Sequence, residues 1–335
     1  MVREWDPRSA SSAELESMLD LLNAVLAADL PEDPQWQGDH LREYLAEVMP
    51  GERRLSWLAE EPDRPGGRLL GHISVLLLGD IGVIELMVHP KDRRRGLGRR
   101  LLAEAVRRTH LEGFSSIGVE VVGNTPAAAF YQALGFRRAY QETRGLLRLS
   151  TVDWLALGEM ARGIGAGYRI EYYPGGPPEE LIDSYAVAKA EVREPDGDLE
   201  LRPSSSDPQR LRESIACLHR RGMKPYIVLA IHEQSGEVAG LTEVVVPAQR
   251  PSRADQYDTI VVPDHRGYGI DRALKARMLF ELRSAEPALR EVQTWNAPDN
   301  AAMLKVNAEL GFQPDREWLE FEAEVDDLAQ RFRVD

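Results

Sequence analysis

Arg93, Arg94, Arg95 and Arg99 surround Gly96, Leu97 and Gly98, and a basic turn of this kind, with two glycines, is suited to hold a diphosphate. Glycines let the backbone approach an anion without a Cβ in the way, and guanidinium groups add charge-assisted donors for phosphate oxygens. A helix starting straight after the turn contributes N–H groups that lack intrahelical partners, together with the positive end of its dipole. Two other phosphate loops are excluded by the residues themselves. No Lys-Ser or Lys-Thr follows the glycines, and Leu101 stands where a dinucleotide fingerprint needs a third glycine. Glu85 is a lone carboxylate in the apolar run Ile84, Leu86, Met87, Val88. Burial there would raise its pKa toward a range useful for accepting an ammonium proton, and a satisfied structural carboxylate is the other reading.

The elements that must position these groups follow from periodicity. Residues 82–88 read as a strand closed by Pro90, and Leu97, Leu101, Leu102, Ala105 and Val106 have helical spacing, which predicts a helix over 97–110. Upstream, a short strand at 3–5 precedes a helix capped by Ser11, Ser12 and Glu14, and a second helix is expected near 40–48. Strands at 55–60 and 68–78 are joined by the turn Pro65-Gly66-Gly67. Downstream come a strand at 117–122, a helix at 125–134 and the last strands within 136–149.

The segment with Arg93, Gly96 and Gly98 resembles the Arg/Gln-x-x-Gly-x-Gly/Ala acetyl-CoA segment of the GCN5-related N-acetyltransferase (GNAT) family. NTPAAAFYQALGF, Asn124 to Phe136, resembles the family's second cofactor segment. The resemblance implies an α/β fold with a mixed sheet, acetyl-CoA as acyl donor, no metal, and a small-molecule amine as acceptor in a ternary complex. It implies that Met87 and Val88 pair through their backbones with the pantetheine arm, and that Arg93, Arg94, Arg95, Gly96, Leu97, Gly98, Arg99 and Asn124 line the donor site. Tyr131 stands where the family carries its general acid, close to the CoA sulfur; an aromatic in the helix core beside Phe130 is the other reading. Glu120 joins Glu85 as a base, although relative to Asn124 it is one residue out of place.

A second copy follows a connecting helix at 151–167 that ends in the glycine-rich stretch 163–167. The expected division is therefore 1–150 for an N-terminal acetyl-CoA lobe, 151–167 for the connection and 168–335 for a second lobe, with helices near 178–191 and 207–221. Counted from the motif, Asp264 takes the place of the family's Arg/Gln, while Gly267 and Gly269 retain the glycines, with His265, Arg266 and Tyr268 beside them. Asn300 corresponds to Asn124, and Asn307 to Tyr131; asparagine is no general acid. These residues form a possible second site, with Asp258, His265 or Tyr268 as acid/base groups. The segment 294–312 resembles the second lobe of actinobacterial two-lobed acetyltransferases, and mycothiol synthase shares the architecture. Two rivals to transfer in the first lobe follow: the acetyl-CoA there is structural and the second lobe transfers, or the chain binds acyl-CoA as a sensor without catalysis.

At 335 residues and 43% hydrophobic content, two cores are expected. The formal net charge of −14 argues against a nucleic-acid or anionic membrane partner. It divides unevenly, with −3 on residues 1–150 and −11 on 151–335. Cys217 is the only cysteine, so no intramolecular disulfide forms, and its spacing with Ile215 and Leu218 predicts a buried, inert thiol. The polar N-terminus carries no export layout, which fits a cytoplasmic monomer or homodimer.

Overall fold

The computed structural model describes residues 1–61, 68–191 and 207–334. The turn expected at Pro65-Gly66-Gly67 lies outside them. The chain runs β1 (Val2–Glu4), α1 (Ser12–Asp29), α2 (Leu41–Ala46), β2 (Arg53–Glu60), β3 (Leu69–Leu78), β4 (Ile81–Val88), α3 (Leu97–Leu111), β5 (Ser116–Val122), α4 (Pro126–Ala133) and β6 (Arg137–Arg148). It continues through α5 (Trp154–Arg162), β7 (Tyr168–Pro174), α6 (Ile182–Lys189), α7 (Pro208–Arg220), β8 (Met223–His232), β9 (Val238–Pro247) and β10 (Arg253–Val261). Last come α8 (Ile270–Ala285), β11 (Glu291–Asn296), α9 (Ala301–Leu310), β12 (Gln313–Glu324) and α10 (Val325–Phe332).

Two compact units result, and they do not follow the expected division at 150 and 168. Unit one joins Met1–Gln141 to Glu317–Asp335, and the chain between forms most of unit two. In unit one the strand order is β1-β2-β3-β4-β5-β12; all pairs are antiparallel except β4 with β5. In unit two it is β7-β8-β9-β10-β11-β6, with β10 and β11 parallel. Each unit thus takes its sixth strand from a distant part of the chain: β12 lies against β5, and β6 lies against β11. The stretch read as the last strands of the first lobe is one 12-residue strand. Period-two patterning marks a strand without naming its partner, so this exchange has no local signature.

Alternation along the strands divides each unit into two cores. In unit one, Trp57, Ile73, Val75, Ile84, Val119 and Val121 face α3, α4 and α10. Leu58, Leu69 and Met87 face the other way, under Met18, Leu21 and Val25 of α1. The α1 cap is the reciprocal pair expected from sequence: Glu14 accepts the Ser11 N–H at 2.9 Å and donates its own N–H to Ser11 Oγ at 3.3 Å. In unit two, α8 covers one face and α6 with α7 the other; Cys217 is fully buried in α7.

Strand β10 begins at Arg253, well before its apolar end at Ile260 and Val261. Its first residues are polar yet buried, because each has a partner: Arg253 donates to Glu291 at 2.6 Å, and Asp255 accepts from Gln293 at 2.6 Å and Arg250 at 2.8 Å. Paired polar side chains remove the alternation on which strand reading depends. Among the described residues no helix is long and apolar enough to cross a membrane.

Candidate active site

The parallel pairing of β4 with β5 runs only from Ile81 opposite Ser116 to Ile84 opposite Val119. Beyond that point β4 stays paired with β3 as far as Val88, so its other edge opens toward the start of α3. His89 N–H donates to Leu70 O at 2.9 Å, which sets the phase of the ladder. Backbone groups alternate along a strand, so Met87 turns to β3, and Leu86 and Val88 turn to the open edge. The expectation that Met87 and Val88 present their backbones is corrected on this ground: Leu86 takes the place of Met87, whose side chain packs under α1.

The open edge leads to an uncapped helix. Gly96 is the N-cap of α3 at φ +77°, without a side-chain cap, and the first helical bond runs from Arg100 N–H to Gly96 O at 3.1 Å. The N–H groups of Leu97, Gly98 and Arg99 therefore lack intrahelical acceptors. A Cβ on Gly98 would meet Phe130 and Val88 at 3.5 to 3.6 Å, ordinary contact. Packing does not require glycine there. Leu97 is buried and can offer only its N–H.

The four arginines divide. Arg94, at φ +63°, and Arg95 are exposed beside the turn, and Arg95 is 3.3 Å from Asp92. Arg99 stacks over the Phe332 ring at 4.7 Å and reaches Arg331 O at 3.4 Å. Arg93 is engaged elsewhere: Nε donates to Val88 O at 3.1 Å, and both terminal nitrogens donate to Asp29 at 2.7 Å. Three of its five N–H groups are thus taken by the end of β4 and the end of α1, which leaves two for the expected role as a diphosphate donor.

Tyr131 is buried between Phe130 and Phe136, with each ring 5.1 Å away and edge-on. Burial pushes its phenol well above the ordinary value and keeps it protonated. Asn124 is exposed in the left-handed region at φ +60°, just before α4. Glu85 is not buried: its side chain is 61% exposed, accepts from Ser74 Oγ at 3.3 Å and lies 3.7 Å from Arg54. Alternation puts it on the face away from α3, where its end of β4 is open to solvent. Glu120 is also exposed and, by alternation with Val119 and Val121, shares that face. Sequence reasoning missed His72, which lies opposite Met87 and is buried against Trp5, with centroids 5.7 Å apart. Burial holds its imidazole down at about 4; the weaker influences of Glu85 and Arg54 oppose each other. A lone histidine in an apolar strand carried no signal for this.

Unit two repeats the geometry with a shifted register. Arg266 Nε donates to Val261 O at 3.2 Å, as Arg93 does to Val88 O, and Gly269 at φ +70° is the N-cap of α8. Arg266 therefore stands for Arg93, Gly269 for Gly96 and Asp271 for Gly98. The expected match of Asp264 to Arg93, with Gly267 and Gly269 matched to Gly96 and Gly98, was two residues out. The structure places Gly267, at φ +84°, where Arg94 adopts the same unusual conformation. Asp271 accepts the N–H of Arg272 at 2.8 Å, so a carboxylate already occupies this helix start. Gly165 N–H donates to Tyr268 O at 3.1 Å, and a Cβ on Gly269 would lie 3.2 Å from Gly163 O. The glycine stretch after α5 thus lies on the loop.

The remaining residues of the possible second site scatter. His265 Nδ1 lies 2.9 Å from the Tyr168 hydroxyl, Asn300 caps α9 by accepting from Met303 N–H at 3.2 Å, and Asn307 is buried, donating to Asn296 at 2.6 Å. Lys275, at the place of the core residue Leu102, is buried 5.2 Å from the Phe312 centroid. At the place of Ser74 and Glu85, unit two holds Glu243 and Asp258. Lys189 Nζ lies 2.5 Å from the first and 2.8 Å from the second, and Tyr185 donates to Glu243. Burial, reinforced by Asp258, raises the Glu243 pKa.

Comparison with known proteins agrees with this geometry. The profile of the Acetyltransferase (GNAT) domain matches residues 52–138, the span from β2 to the start of β6. A mycothiol acetyltransferase of Amycolatopsis mediterranei is 30% identical over 242 residues, 69% of this chain and 71% of that protein. One from Thermobispora bispora is 29% identical over 235 residues, 68% of this chain and 71% of that protein. A tandem GNAT protein from the clavulanic acid biosynthesis pathway superposes with a TM-score of 0.81 at 28% identity, covering 97% of this chain and 98% of that one. With the open strand pair and its uncapped helix repeated in altered form, these relations show that the chain belongs to the GNAT family of acetyltransferases, in its tandem form.

Proposed function

We propose that unit one binds acetyl-CoA and transfers its acetyl group directly to a small-molecule amine. One contrast carries the reading: in unit one the gap after Ile84 and Val119 leads to a helix start without a cap, whereas in unit two the Asp271 carboxylate fills that place. The backbone N–H groups of Leu97, Gly98 and Arg99 receive the diphosphate, with Arg94 and Arg95 beside them. Leu86 and Val88 meet the pantetheine arm, and the Val88 N–H polarises the acetyl carbonyl as charge develops on it. The amine nitrogen bonds to the acetyl carbon as the carbon–sulfur bond breaks. Tyr131, protonated in its apolar setting, gives its proton to the departing thiolate. Glu85 or Glu120, on the acceptor face, takes the ammonium proton.

The test is thiol release with a panel of amines, including one related to mycothiol because the curated relatives carry that name, alongside native mass spectrometry with acetyl-CoA. Gly98→Ala is expected to fold normally and to weaken acetyl-CoA binding about tenfold, since a methyl intrudes where the anion approaches. Tyr131→Phe is expected to keep acetyl-CoA binding and to lower kcat about a hundredfold. Unchanged kcat in Tyr131→Phe would remove the phenol from the mechanism.

A second reading places transfer in unit two, and the partly buried set of Glu243, Asp258, Lys189 and Tyr185 favours it. Turnover that survives Gly98→Glu and disappears in Glu243→Gln would select it.

A further inference from the structure

Arg93 belongs to the donor loop by sequence, and three of its N–H groups are bonded to other parts of unit one. Its two 2.7 Å bonds run to the two carboxylate oxygens of Asp29, the last residue of α1, and its Nε holds Val88 O at 3.1 Å. The N–H of the same Val88–His89 peptide donates to Leu70 O at 2.9 Å. That peptide is thus pinned at both ends, and Val88's own N–H is left on the open edge of β4. On its other side, the helix that ends at Asp29 packs on Met87, on the sheet face whose open end carries Glu85. Bidentate guanidinium–carboxylate pairs fix orientation as well as distance. Unit two supplies an internal comparison: Arg266 holds Val261 O in the same way, but no acid among the described residues meets its guanidinium.

We propose that Asp29, acting through Arg93, is a positioning residue for acetyl transfer: it ties the end of α1, on the acceptor side, to the Val88 peptide on the donor side. The proposal rests on unit one carrying the transfer. Asp29 touches neither substrate in this arrangement, so its effect falls on the alignment of acetyl group and amine, where displacements below an ångström alter rate strongly. The pair also gives the Arg at the start of the loop motif a role besides any phosphate contact.

The experiment compares Asp29→Asn, Asp29→Glu and Arg93→Lys with the wild type and with Gly98→Glu. Turnover is read with the best amine of the panel, acetyl-CoA binding by calorimetry, and folding by melting temperature. Asp29→Asn and Arg93→Lys are each expected to lower kcat about tenfold and raise the amine KM, with acetyl-CoA affinity within about twofold of wild type. Asp29→Glu is expected to recover most of the rate. Wild-type kcat in Asp29→Asn, or equal losses of rate and acetyl-CoA affinity, would overturn the proposal. If Asp29→Asn does not fold, Arg93→Lys carries the same test. Loss of turnover in Gly98→Glu beside a silent Asp29→Asn would sink the brace alone; full turnover in Gly98→Glu would remove both the site and the brace.

Discussion

Lys275→Met is expected to stabilise the protein by up to about 4 kcal/mol at pH 7, because burial has pulled the Lys275 pKa from 10.5 to about 7. The folded state binds this proton less tightly than the unfolded chain. As pH falls from 10.5 to 7 the unfolded chain takes up a proton that the folded protein declines, so the lysine subtracts stability throughout that window and by a constant amount below it. Asp271, one turn away, opposes the shift only in part. Methionine preserves the length and lies against Phe312 as Leu102 lies in the core of unit one. Urea unfolding at pH 7 and pH 10 checks this: the difference between wild type and variant is expected to shrink at the higher pH. A variant equal to wild type at both values would show the ammonium to be solvated.

His72 is expected to make unit one sensitive to acid. Its folded pKa of about 4 against 6.5 unfolded means that stability is intact above pH 6.5 and is lost as pH falls toward 4, by about 3 kcal/mol in all. In His72→Phe that loss is expected to be absent, while at pH 7.5 the variant and the wild type differ only by packing against Trp5. Denaturant midpoints at pH 7.5, 5.5 and 4.5 for both proteins decide it. Parallel midpoint curves would mean that His72 is hydrated in the folded state.

The strand, turn and helix around Gly96 and Gly98 were legible because they are written in backbone terms: a glycine at a left-handed N-cap, a second without a packing reason, and an apolar strand before them. The mixed sheets and nearly every element were legible from periodicity for a similar reason. Partners distant in sequence were not. Asp29 lies 64 residues before Arg93, and nothing in either neighbourhood announces the pair. The second loop misled because glycines at 267 and 269 copy the spacing of 96 and 98; only the Arg266 contact and the position of the N-cap show that Asp271 is the true counterpart of Gly98. The apolar neighbours of Glu85 along the strand suggest burial, but exposure depends on what covers the face, and its end of β4 is left open.

The placement of β12 also bears on the order of events during protein synthesis. Residues 318–324 line up against β5, and α10 packs its Val325, Leu328 and Ala329 into the first unit's core. The ribosome delivers both after every other strand of either unit, so the half of the protein that is translated first waits longest for its finished sheet. Until then the β5 edge is bare, and a nascent chain interrupted before Gln313 is expected to misfold in its early half.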